Sequence, residues 1–168
     1  DLFALFVSTK NPNLKTKIFD YFIAAKDPLL KDFAIEVLKD PIDEKKSTVN
    51  KIFEYVSTME FPEAREPVLN LLFEEEGLYV EAAARTIGKV GSAEDTAKIA
   101  ELLDSDVPAN VKLALINTLG ELHAENTVGT LIEFAKDTSE STSLRMAAAE
   151  ALGGIDVPEA VDALVALY

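Results

Sequence analysis

The chain has 168 residues, with 16 Lys and Arg against 30 Asp and Glu, a formal charge of −14, one His and no Cys or Trp. Its length fits one domain, and a 48% hydrophobic share beside 27% charged residues supports a buried core. The acidic balance argues against nucleic acid, whose phosphates need a Lys and Arg field; absent cysteine excludes disulfides, thiolate catalysis and cysteine-bound zinc; no apolar run reaches the ~18 residues of a membrane span.

Apolar spacing and turn residues predict eleven helices, near residues 1–9, 12–25, 28–39, 44–59, 62–75, 78–89, 93–104, 107–121, 125–137, 141–153 and 157–168. The first reads Leu2-Phe3-Ala4-Leu5-Phe6-Val7, apolar all round, and follows Asp1 with no initiator Met, so a mature or excised piece of a longer protein is expected. Asp27-Pro28 puts a capping Asp before a Pro at the first helical position. Asp40-Pro41, Phe61-Pro62, Asp106-Val107-Pro108 and Asp156-Val157-Pro158 mark further starts, and Gly77, Gly91 and Gly153-Gly154 mark stops. The last helix reads from Val161 to Tyr168 with only Asp162 to face water. Both end helices therefore call for cover, by further repeats or by end-to-end self-association. No stretch alternates as a strand between hairpin turns.

Charge and aromatics are divided unequally. Residues 1–51 hold nine Lys and eight acids, whereas residues 52–168 hold seven basic and 22 acidic residues. Of the 13 Phe and Tyr, 11 lie at or before Tyr79. The first half reads as a large aromatic core, and the second as an acidic surface that favours a basic partner.

Three segments stack on one another: Tyr79–Gly88, Val111–Gly120 and Leu144–Gly153, with their glycines 32 and 33 residues apart. Apolar residues recur eleven, twelve and fourteen positions after each Gly, as at Ile99, Ala100 and Leu102. A fixed period of this length with helical spacing predicts an all-α right-handed α-solenoid of about five helix pairs plus a terminal helix. The segment Leu131-Ile-Glu-Phe-Ala-Lys-Asp137 followed by Leu144-Arg145-Met-Ala-Ala-Ala-Glu-Ala-Leu-Gly153 resembles a HEAT repeat, of the kind also seen in phycobilisome-lyase-like proteins. The resemblance implies that Asp137 meets Arg145 to tie repeats together, with Asp104 and Lys112 as a weaker version; Val80 breaks the pattern in the third copy. It covers residues 79–168 well, and residues 1–78 keep only the helix-pair rhythm, so one HEAT-like domain is expected with an aromatic, degenerate first part.

The resemblance also implies that second helices line a concave side. Counting from the start of each second-helix motif, position three is Glu81, Leu113 and Met146, and position seven is Arg85, Asn117 and Glu150. These positions lie four residues apart on one helix face. Extended backwards, the register adds Lys51 and Tyr55, then Thr16 and Asp20. Tyr55, Glu81, Arg85, Leu113, Asn117, Met146 and Glu150 are the candidate partner-binding residues.

Catalysis finds little support. His123, with Glu121 and Glu125 nearby, offers one imidazole, too few for a metal centre. Glu74-Glu75-Glu76 points three ways around a helix end and reads as solvated. Thr138, Ser139, Ser141, Thr142 and Ser143 fall in a turn and read as caps. One His and no Cys argue against a hydrolase triad, and the glycines lack phosphate-loop spacing. The expectation is a non-enzymatic scaffold or adaptor, without cofactor, that binds a protein or peptide, does not bind nucleic acid and does not insert into a membrane. The alternative is an enzyme or enzyme subunit of the phycobilin-lyase type. A soluble protein is expected, cytoplasmic in preference to periplasmic.

Overall fold

The computed structural model describes residues 2–74 and 77–167, so Glu75, Glu76 and Tyr168 of the expectations above lie outside the described residues. Among the described residues there are eleven α-helices and no strand: α1 Leu2–Ser8, α2 Pro12–Ala25, α3 Lys31–Lys39, α4 Lys46–Met59, α5 Arg65–Leu72, α6 Val80–Val90, α7 Thr96–Leu103, α8 Ala109–Glu121, α9 Val128–Lys136, α10 Thr142–Gly153 and α11 Pro158–Leu167. Several helices expected from the sequence begin with a separate 3₁₀ turn, as at Pro28–Leu30, Pro62–Ala64, Ala93–Asp95 and Glu125–Thr127. Two of these open on Pro, which fits the first turn because it has no N–H to donate. Asp27 caps the first by accepting from Leu29 N, and Ser92 with Asp95 forms a capping box at the third.

The chain forms two compact units, one up to Val90 and one from Gly91. The change of composition at residue 79 does not mark the division, because α6 packs on both α4 and α5. In the first unit, second helices stack on second helices (α2 on α4, α4 on α6) and first on first (α3 on α5). In the second unit, α8 stacks on α10, and α9 and α10 both meet α11. Helix pairs that bury their apolar faces only against neighbouring pairs are the arrangement of an α-solenoid.

The first unit's core is aromatic, as its composition predicts. Phe6 meets Phe19 and Phe33 edge-on at 5.3 and 4.8 Å, and Tyr55 lies 5.4 Å from both Phe19 and Phe61. Phe6 is the buried residue of α1, whereas Phe3, Leu5 and Val7 are exposed. Burying Phe6 contributes about 1.5–3 kcal/mol to holding this helix. The second unit's core is aliphatic, with Ile99, Leu103, Leu115, Ile116, Leu131 and Leu152 fully buried. Ala114, Ala147 and Ala148 are also buried, where a larger side chain would force the helices apart. On α11, Ala160 and Ala163 face the core and Val161 and Val165 face outward.

Repeats are tied by a device that the sequence did not reveal. Lys15 on α2 reaches Glu44 in the turn before α4 at 2.6 Å and lies over the Phe33 ring of α3. Lys112 on α8 reaches Glu140 in the turn before α10 at 2.5 Å and lies over the Phe134 ring of α9. In each case a lysine of one second helix joins the turn of the following pair, its stem covering an aromatic face. This corrects the expected Asp104–Lys112 tie. Arg145 donates from Nε to the Ala135 carbonyl at 3.0 Å, while Asp137 Oδ1 accepts from Ser139 N and Oγ. These Ser139 bonds, helped by the charges of Lys112 and Arg145, hold the Asp137 carboxyl below its usual range.

Candidate interaction surface

The candidate residues lie on α4, α6, α8 and α10, all second helices of their pairs. In the first unit this surface is charged and internally satisfied. Lys51 Nζ sits 2.8 Å from Asp20 of α2 and 2.6 Å from Glu54 of its own helix. The hydrogen bond to Asp20, then that to Glu54, holds the Lys51 ammonium above its ordinary range. Glu81 and Arg85, one turn apart on α6, pair at 2.5 Å. Charges answered by their neighbours leave little free potential for a partner.

Tyr55 leaves the candidate row. Its side chain is fully buried, and its hydroxyl donates to the Asp27 carbonyl at 2.6 Å. Burial pushes the phenol up to about 12. The backward extension of the register is one residue out here: Glu54 is the exposed residue, and Tyr55 turns into the aromatic core. An exposed aromatic that the register missed is Tyr21 of α2, 59% exposed and stacked edge-on to Phe22. Its signal was its place next to Asp20, which the same register had included.

In the second unit the same positions are different in kind. Met146 of α10 is 58% exposed, and Leu113 of α8 is half-buried. Asn117 and Glu150, one turn further on, are exposed. The two helices approach closely: a Cβ on Gly120 would come within 3.0 Å of Ala151 Cα. His123 follows α8 with φ 49°, a left-handed stop, and its Nδ1–H donates to the Gly154 carbonyl at the end of α10, 2.7 Å away. The sole imidazole is thus engaged in joining two helix ends. Ser141 caps α10 by accepting from Leu144 N, which accounts for one of the clustered hydroxyls.

The arrangement offers a polar and apolar surface on rigid helices. Among the described residues, no group of three His, Asp or Glu side chains is placed to hold a metal ion, and no helix is long and apolar enough to cross a membrane. A family model described as "Spirochaete HEAT repeat protein" matches residues 1–168. No curated protein matches the sequence.

Proposed function

Because the chain belongs to the family of spirochaete HEAT repeat proteins, we propose that it is a non-enzymatic scaffold that binds a protein or peptide along its second helices, centred on α8 and α10. The observation that carries this reading is an apolar pair at one repeat position of two packed helices: Met146 on α10, 58% exposed, and half-buried Leu113 on α8. A methionine adapts its shape to a partner at low cost. Leu113 extends the apolar contact, and Asn117 and Glu150 supply polar groups beside it. The unit from Gly91 onward holds 14 acids and four Lys or Arg, so a basic partner is favoured.

The chain has two methionines, so methyl labelling gives one signal for Met146 and one for half-buried Met59 as an internal reference. A synthetic amphipathic helix of Lys and Leu is expected to move the Met146 signal, and a matched helix of Glu and Leu to leave it in place. Binding should weaken at least about tenfold between ~50 and ~500 mM salt. A Met146 signal indifferent to both peptides overturns the reading. Visible absorbance that stays with the chain after mixing with a free bilin would replace it with the lyase alternative.

A further inference from the structure

The unit up to Val90 carries a groove away from the second-helix residues just described. It lies between the turn that joins α3 to α4 and residues Leu78 and Tyr79, just before α6. A cavity of about 600 Å³ is lined by Ile42, Leu71, Leu78 and Tyr79. A second, of about 430 Å³, is lined by Ile35, Pro67, Glu63 and Glu66. Lys39 and Asn70 line both, so the two are neighbours along α5.

The apolar end is unusual. Ile42 is 81% exposed and Leu78 64% exposed, yet both line one cavity whose other walls include buried Leu71 and Tyr79. Single exposed apolar residues are ordinary; two from separate turns that share one cavity make a seat for an apolar side chain. The lining holds five carboxylates and two lysines, Lys39 and Lys46; Glu44 and Glu63 are answered by Lys15 and Lys31, which leaves Asp40, Glu66 and Glu74 as its negative groups. Lys39 is already paired with Glu36. At the far end Glu66 is exposed on α5, one turn before exposed Asn70 and on the same face.

We propose that this groove binds an extended segment of a partner protein, with an apolar side chain between Ile42 and Leu78 and a Lys or Arg two or three residues away at Glu66. The spacing follows from α5. Leu71 and Glu66 are five residues apart, about 7.5 Å along the helix axis and about 9 Å between Cα atoms once the turn of the helix is included, and an extended chain covers about 3.3 Å per residue. Asn70 lies between them. Its carboxamide carries both donor and acceptor and so matches a main-chain peptide group of the intervening residues. The negative lining selects the basic residue, and the apolar seat sets the register.

The test uses the full chain, labelled with ¹⁵N, and two synthetic peptides in a Ser and Gly background, one carrying Leu-Ser-Ser-Arg and one Arg-Ser-Ser-Leu. At least one should shift the amides of residues 39–46 and 66–74 in a saturable manner, with Kd below about 1 mM. Replacing its Arg by Glu, or its Leu by Ser, should weaken it about tenfold. The variant Glu66→Lys should reverse the charge preference and bind the Glu peptide better. The double variant Ile42→Ser with Leu78→Ser should lose about tenfold in affinity while keeping its thermal midpoint, since both side chains are largely outside the core. Shifts confined to α8 and α10, absent shifts, or the same shifts on concentrating the chain alone, which would assign the groove to a second copy, each overturn the proposal. None of these readouts depends on the Met146 signal, so the two proposals fail separately.

Discussion

Tyr55 shows what one residue of register decides. A one-position error on a helix turns a side chain by about 100°, enough to move it from surface to core. With the phenol buried and pushed up to about 12, stability acquires a pH dependence. In the unfolded chain a tyrosine loses its proton near pH 10. Below that both states keep the proton and the contribution is fully present. As pH rises from about 10 to about 12 the unfolded state releases its proton first, and stability falls by up to about 2–3 kcal/mol. Tyr79, also raised by burial, steepens the same decline. Urea midpoints measured from pH 9 to 11.5 should fall for the parent chain and fall less for Tyr55→Phe. At neutral pH the variant should be less stable by about 1 kcal/mol, because the Asp27 carbonyl loses its partner. Equal slopes for the two proteins would refute this account.

Between helices, two glycines separate propensity from packing. Gly120 lies in α8, where an added Cβ would stand 3.0 Å from Ala151 Cα and 3.1 Å from Ala151 Cβ. Neither atom is the end of a flexible side chain, so α8 and α10 would have to part. Gly120→Ala is expected to destabilise by about 1–3 kcal/mol despite alanine's better helix propensity. Gly129, in α9, has nothing within 4 Å of the same added atom. There propensity acts alone, and Gly129→Ala should stabilise by about 0.5–1 kcal/mol. Chemical denaturation of both variants checks the contrast; a stabilised Gly120→Ala would show that the close approach of α8 and α10 matters little.

Across the whole molecule, charge is the uneven quantity. The unit from Gly91 onward carries a formal −10 and the unit up to Val90 a formal −4. Like charges at this density repel within each unit, and the Debye length near physiological salt is about 8 Å. Salt should therefore raise the thermal midpoint as it screens the repulsion. The Lys112–Glu140 and Lys15–Glu44 pairs resist this less than exposed pairs would, being partly buried and less screened. A midpoint that falls between ~20 and ~500 mM sodium chloride would mean that ion pairs, not repulsion, dominate.

The sequence by itself determined the fold class and the order of the helices. The 32–33 residue period, the Asp-Pro starts and the stops were local signals, and local signals are read along the chain. It also determined that the second half is acidic and that its second helices carry Leu113, Asn117, Met146 and Glu150 at repeat positions three and seven. Tertiary packing alone decided which of the candidate residues face water. Tyr55 was lost to the aromatic core because the first half keeps the helix rhythm without the repeat motif, and a register without a motif can slip by one. The lysine ties were hidden for another reason. Lys15 and Glu44 are 29 residues apart, and Lys112 and Glu140 are 28, distances over which spacing says nothing until the helices are stacked. The groove beside α5 was hidden likewise: Ile42 and Leu78 belong to different turns, and only the packing of α3 on α5 and of α5 on α6 brings those turns to one cavity.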